Sequence, residues 1–235
     1  MQVTRAKAAG ALRWLGLVGE RTTLEGDLVV VSPHVDDAVL SLGAAISHAA
    51  RNGSRVTVLT VLAGNPGATA PAGEWDRSCG FSTAGEAAAA RRIEDANACA
   101  RLGARPVWLP FCDHQYERGG TDDEIRVAVE GAVGSCLVLL PGFPLEHPDH
   151  RWLHGLLRPT FPTEQQGLYA EQPYAADRGE SPGPGWRSLR AGLGDRRRKL
   201  AACRAYASQL GPLERPLTRM LRYEIARGGE AALLP

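Results

Sequence analysis

Four short runs of nearly uninterrupted apolar residues, each followed by a longer stretch with helical period, constrain this chain more than any other feature. Asp27–Ser32 (DLVVVS), Arg55–Ala63 (RVTVLTVLA), Pro106–Leu109 and Cys136–Leu140 (CLVLL, closed by Pro141-Gly142) read as strands. Continuous apolar character, in place of alternation, is what a strand buried on both faces requires. Asp37–Arg51, Glu86–Leu102 and Asp122–Val133 read as helices. The first has Val39, Leu42, Ile46 and Ala49 about one turn apart and stops at Asn52-Gly53; the second stops at Gly103. A helix from His150 to Leu157, a strand Gly167–Gln172 and a helix Asp195–Leu210 follow. Strand–helix–strand repetition of this kind implies an α/β chain, Rossmann-like, with a mostly parallel sheet and helices on both faces. With no internal repeat and no linker, a single domain over residues 1–235 is expected.

In such folds ligands sit beyond the carboxyl ends of the strands. Chemistry is therefore expected in the loops after residues 32, 63, 109 and 140. Two other connections, Gly64–Gly85 and Pro173–Gly194, are long and rich in glycine and proline. Loops of that length are uncommon unless they are lids, binding loops or disordered. Trp75 and Trp186 within them are expected either to wall a substrate site or to pack on the domain surface.

Composition narrows the function classes. There are 27 Lys and Arg against 26 Asp and Glu, a formal charge of +1. Nucleic-acid binding needs a basic surplus that is missing here. No apolar run approaches the roughly 20 residues needed to span a bilayer. Ala9–Gly19 is broken by Arg13 and reads as a short amphipathic helix rather than a signal peptide. The five cysteines form no C-x-x-C pair, so neither a disulfide framework nor a thiolate metal site is expected. A cytoplasmic protein with a small-molecule partner, without nucleic acid or membrane, fits best. The tail 226–235 is expected to be ordered only against another part of the chain or a partner.

The first strand ends in Ser32-Pro33-His34-Val35-Asp36-Asp37, and the fourth is followed by Glu146-His147-Pro148-Asp149-His150. His34-x-x-Asp37 lets an imidazole and a carboxylate converge on one cation; the alternative is that Asp36 and Asp37 cap the following helix. Three of the six histidines thus fall on two strand ends at the ligand edge. Two histidines and one carboxylate with an open position suit catalytic zinc, and iron or manganese accept the same donors. His150 and His154 share a helix at the spacing zinc metalloproteases use, but Arg151 stands where their glutamate base belongs, so His154 is expected to be structural. His48 and His114 have no partner at ligand spacing. Gly-rich phosphate loops and the G-x-S-x-G elbow are absent.

Ser32–Gly43 (SPHVDDAVLSLG) and His147–Arg151 (HPDHR) resemble the two signature motifs of the PIG-L/LmbE family of zinc-dependent N-acetylglucosaminyl deacetylases. Arg91-Arg92-Ile93-Glu94 before Leu102-Gly103, Asp113 after the third strand and Tyr206 near Ser208-Gln209 are similar to further family features. The resemblance implies His34, Asp37 and His150 as metal ligands. It implies Asp36 as the general base and His147 as oxyanion stabiliser and proton donor, oriented by Asp149. Arg91 and Asp113 would contact substrate. The common first motif is H-P-D-D-E; here Val35 replaces the proline and Ala38 the glutamate, which leaves ligand and base positions intact and opens substrate choice. The expected activity is removal of an acetyl group from an amino sugar or an amino-sugar-containing metabolite. A hydratase or a thiol-sugar-conjugate amidase of the same fold, and a non-catalytic binding module, are the alternatives.

Overall fold

The computed structural model describes residues 21–235, apart from the side chains of residues 210–216. The expected helix over 9–19 lies outside the described residues. Strands β1 (Leu28–Ser32), β2 (Val56–Thr60), β3 (Arg105–Trp108), β4 (Leu137–Phe143), β5 (Gln166–Ala170), β6 (Arg187–Ser188) and β7 (Ala231–Leu233) form one sheet, ordered β3-β2-β1-β4-β5-β7-β6. The first five run parallel, and β7 is antiparallel to β5 and β6. The helices are α1 (Asp37–Arg51), α2 (Glu74–Ser78), α3 (Ala84–Leu102), α4 (Asp122–Val133), α5 (Pro148–Leu157), α6 (Tyr174–Arg178), α7 (Leu193–Cys203) and α8 (Ala207–Arg227). None of the described helices is long and apolar enough to cross a membrane.

Both sheet faces are covered, which explains the continuous apolar strands. On one face Leu28, Val30, Val56 and Val58 pack against Leu42 and Ile46 of α1, Leu102 of α3 and Ala202 of α7. On the other, Val29, Val31, Val138 and Leu140 pack against Ile125 and Val129 of α4 and Leu153 of α5. Each such aliphatic side chain contributes about 1.5–3 kcal/mol through burial. Helices α3 and α4 open with capping boxes, Thr83 with Glu86 and Thr121 with Glu124. The first of these starts α3 two residues before its apolar period is evident.

The end of β4 and the helix over 195–210 differ from expectation for tertiary reasons. Strand β4 is not closed by Pro141-Gly142 but continues to Phe143, with a register shift against β5 between Pro141 and Phe143. A proline is tolerated at such an irregularity. Gly142 passes so close to Leu168 that an added Cβ would lie 2.5 Å from that residue's Cβ. The expected helix over 195–210 is two helices, α7 and α8, broken before Ala207. There the buried Tyr206 hydroxyl donates to Asp95 at 2.7 Å, and Ser208 donates its amide and hydroxyl to Glu94, each at 2.7 Å. The tail is ordered against the rest of the chain: β7 lies between β5 and β6, and Glu230 accepts the amides of Ala44 and Ala45.

Because β1 pairs with both β2 and β4, the strand order reverses there. A crevice at the carboxyl ends of β1 and β4 is where an open α/β sheet binds ligands.

Candidate metal centre and active-site cleft

The turn leaving β1 is stapled by Ser32, whose hydroxyl donates to the His34 carbonyl at 2.5 Å and accepts the Ala38 amide at 3.0 Å. The turn folds Asp37 back so that its carboxylate accepts the His34 amide at 2.8 Å and faces His34 Nδ1 at 3.2 Å. Asp36 occupies the cap position of α1 but makes no capping bond, and it lines the cleft instead. The helix-capping alternative therefore fails for Asp36. Across the crevice, His147 caps α5: its Nδ1 accepts the Asp149 amide at 3.2 Å, with Pro148 at the first helical position. That start places His150 in the first turn of α5, completely buried.

His34 Nδ1, Asp37 Oδ2 and His150 Nε2 form a triangle with edges of 3.1, 3.2 and 3.2 Å. The outer nitrogens of both rings meet carboxylates: His34 Nε2 lies 3.1 Å from Asp149, and His150 Nδ1 lies 2.9 Å from Glu171. A carboxylate only accepts, so each ring donates outward, and in its neutral form turns a lone pair inward. Two lone pairs and a carboxylate oxygen then converge on one point, which is unfavourable unless a cation fills it. Zinc held tetrahedrally at about 2.0–2.2 Å would space its donors about 3.3 Å apart, close to this triangle. Carboxylates behind ligating imidazoles are the usual outer shell of such sites. His147 is also near, its ring nitrogen within 4.8 Å of those of His34 and His150. Its Nδ1 is committed to the cap, so Asp37 completes the tighter donor set.

Without a cation, protons occupy the same place. Burial alone would lower His34, but its bonds to Asp149 and Asp37 outweigh it and raise the ring to about 9. His150 is raised to about 10, burial being overcome by Asp37 and Glu171. Burial and the neighbouring charge of Asp37 raise Asp36 to about 7. All three folded-state values lie above their unfolded ones, so the stabilisation they give is present at low pH and fades as pH rises through the folded values. The metal-free protein is expected to lose about 5 °C or more of thermal stability between pH 6.5 and 10, and the zinc-saturated protein much less. Melting curves across that range with and without zinc measure it; a flat or rising metal-free curve would contradict the proton-filled triangle.

The Asp149 amide holds His147 Nδ1, but the carboxylate expected to orient that ring lies 4.0 Å from it. It bonds instead to His34, to His114 Nδ1 at 2.9 Å and to Arg118 at 3.0 Å. Nor is His147 raised toward a protonated form. Burial, followed by the charges of His34 and His150, pushes it down to about 4.

The remaining expected residues line a cleft of about 1000 Å³ that contains His34, Asp36 and His147. Arg91 and Asp113 both face it. Arg91 Nη2 lies 2.5 Å from Asp76, a charge pairing not aligned as a hydrogen bond, so Nε and Nη2 have no hydrogen-bond acceptor. Asp113 accepts the amide and side chain of Gln115 at 2.9 and 3.1 Å. Trp75 lines the cleft; Trp186 packs against Phe143 instead. His154 is structural, its Nδ1 2.7 Å from the Pro141 carbonyl. Glu171, Arg118 and Tyr174 of α6, whose ring lies 5.4 Å from that of His150, went unread in the sequence. His114, which has no partner at ligand spacing in the sequence, meets Asp149 in the fold. Glu171 left one signal, an acid at the carboxyl end of an apolar strand.

Two imidazoles and a carboxylate thus converge at the switch point of a parallel α/β sheet, a donor set that could hold a divalent cation. The chain belongs to the PIG-L family: the model described as "PIG-L: GlcNAc-PI de-N-acetylase" matches residues 29–160, which include both histidine motifs. No curated protein matches the chain at a significant level. Among solved structures, the A40926 pseudoaglycone deacetylase Dbv21 is 29% identical with a TM-score of 0.67, over 91% of this chain and 96% of that one. The zinc-inhibited form of the teicoplanin deacetylase Orf2 is 25% identical with a TM-score of 0.69, over 88% and 96%. The 4-carboxy-2-hydroxymuconate hydratase GalB from Pseudomonas putida is 20% identical with a TM-score of 0.66, over 89% and 97%, and shares the fold.

Proposed function

We propose that this chain is a metal-dependent amide hydrolase that removes the acetyl group from an N-acetyl amino sugar, with zinc as the ion. The observation that carries the reading is the convergence of His34, Asp37 and His150 on one point, beside a carboxyl that caps nothing and an imidazole committed at one nitrogen. A divalent cation held by these three would polarise the amide carbonyl and acidify a water. Asp36, raised to about 7, takes the proton from the attacking water and passes it to the departing nitrogen. His147 accepts at Nδ1, so its neutral ring carries the proton on Nε2. That N–H donates a hydrogen bond to the carbonyl oxygen as negative charge develops on it. Asp149 and Glu171 hold the two ligating rings in place.

Charge in the cleft selects among substrates. Its two arginines are already engaged, Arg91 with Asp76 and Arg92 with the Ala63 carbonyl. A dicarboxylate, as a hydratase substrate of GalB's kind would be, needs a free cation facing it, and the described lining offers none besides these. A neutral, hydroxyl-rich substrate fits: Asp113, which faces the cleft, suits a hydroxyl donor. Five free cysteines accord with a reducing compartment, and we place the protein in the cytoplasm.

Chelated protein reloaded with zinc, ferrous or manganous ion is to be incubated with N-acetylglucosamine glycosides, and acetate and primary amine quantified. Equimolar release of both, abolished by chelation, is expected. No release with any ion would overturn the reading, and consumption of an unsaturated dicarboxylate without amine would establish the hydratase in its place.

A further inference from the structure

We propose that Arg118 is a positioning residue for the metal centre: it turns the Asp149 carboxylate toward His34 and so sets how tightly the ion is held. This rests on the metal-site part of the reading above and is independent of the substrate. Asp149 is 2% exposed, and its two oxygens are used unequally. Oδ2 faces His34 Nε2 at 3.1 Å, His114 Nδ1 at 2.9 Å and the His114 amide at 3.2 Å. Oδ1 accepts from Arg118 Nη2 at 3.0 Å and, among the described residues, from nothing else. That contact fixes the carboxylate's rotation, because a carboxylate held at one oxygen still swings about its Cβ–Cγ bond. Arg118 also brings the counter-charge. Apart from imidazoles, no other described cation lies within reach of this buried group.

The guanidinium is itself held in place. Its Nη1 donates to the Cys112 carbonyl at 3.3 Å, and it lies 4.0 Å from the centre of the Trp152 ring. Trp152 is fixed in turn, its Nε1 donating to Asp122 Oδ1 at 3.2 Å. The loop after β3 delivers Arg118 to this point. The Cys112 amide donates to the Arg118 carbonyl at 2.9 Å, and Gly119 turns the chain with a φ of 77°. A Cβ on Gly120 would stand 2.6 Å from Phe111 Cε1, so glycine lets the loop fold down onto that ring. A planar cation stacked on an indole and forked between two oxygens is a role lysine fills poorly, having neither the flat face nor the fork. Arg118 does not line the cleft, and both of its Nη atoms are committed to protein oxygens, so it is not a substrate contact. What it does control is the group behind a ligating imidazole. A carboxylate that accepts the outer N–H of such a ring fixes its tautomer and strengthens the inner nitrogen as a donor. Without Arg118 the Asp149 charge is buried without its pair and free to turn from His34.

The test measures zinc affinity of the full chain against a competing chelator, in the wild type, Arg118→Met, Arg118→Lys, Asp149→Asn and Arg118→Met combined with Asp149→Asn. Methionine keeps a stem over Trp152 and removes the charge. Arg118→Met is expected to bind zinc about tenfold more weakly and Arg118→Lys about threefold. In the Asp149→Asn background the same Arg118→Met change should cost less than about twofold, because a residue that acts through another then has nothing to act on. Cobalt-loaded protein gives a second readout: Arg118→Met should move the visible bands of the ion in the same direction as Asp149→Asn does. Should Arg118→Met fail to fold, Arg118→Lys carries the same comparisons. Unchanged zinc affinity, or an equal loss with and without Asp149, overturns the inference. So does a lower melting temperature with affinity and cobalt bands unmoved, which would make Arg118 a structural contact only. Zinc affinity that responds to Arg118 in a chain that releases no acetate overturns the hydrolase reading and leaves the positioning role standing. Acetate release by a chain whose zinc affinity ignores Arg118 does the reverse.

Discussion

Asp36→Asn is expected to lower kcat by at least about a thousandfold while the protein still takes up one divalent cation per chain. General acid–base groups contribute about 10²- to 10⁴-fold, and here one carboxyl serves in both directions. Burial and the adjacent Asp37 charge hold it near 7, where it both accepts a proton and returns it readily at neutral pH. Asparagine has the same shape and none of that capacity. Uptake should survive because the three donors that converge are His34, Asp37 and His150, and Asp36 makes no bond that builds their turn; Ser32 does that. Acetate release and elemental analysis on one preparation measure both quantities. Retention of more than a tenth of the activity would remove Asp36 from the proton path. Loss of the metal along with activity would show that Asp36 belongs to the donor set.

Legibility in the sequence followed the range of the interaction concerned. Strands β1, β2 and β4 and helices α1 and α4 were evident because continuous burial and a helical apolar stripe are local patterns. The candidate donors were evident for a similar reason: His34 and Asp37 lie within five residues of the end of β1 and His150 seven beyond β4, and parallel sheets gather such positions at one edge. What the pattern could not carry was the set of partners those residues choose. His114, Arg118 and Glu171 come from two other loops and are unremarkable alone; only the fold brings them to His34 and His150 through carboxylates. The spacing of His147 and Asp149 suggested that they pair, whereas the helix start turns the Asp149 side chain away and leaves only its amide for His147. The break before α8 is likewise tertiary, since no local breaker marks it and Tyr206 is fixed by Asp95 on a different helix.

Asp149→Asn tests the reassigned partner and should weaken zinc binding about 10- to 100-fold, the usual cost of losing the group behind a metal-ligating imidazole. The carboxylate is 2% exposed and faces His34, His114 and the Arg118 guanidinium at 2.9–3.1 Å. Those bonds hold it well below the usual carboxylate range against the cost of burial, so it is charged at every working pH. An amide in its place leaves Arg118 without its counter-charge, although stacking on Trp152 at 4.0 Å persists. Removing one member of a buried pair costs about 3–5 kcal/mol, so the variant should also melt lower. His34 would keep its ring but lose the acceptor that fixes its tautomer, and its inward lone pair would no longer be enforced. Activity at saturating zinc should fall far less than in Asp36→Asn, because neither the proton path nor His147 depends on this carboxylate. Titration with a competing chelator gives the affinity, and assays over a zinc series separate occupancy from turnover. If zinc affinity is unchanged while kcat collapses, Asp149 acts through His147 after all, and the 4.0 Å separation closes when substrate binds.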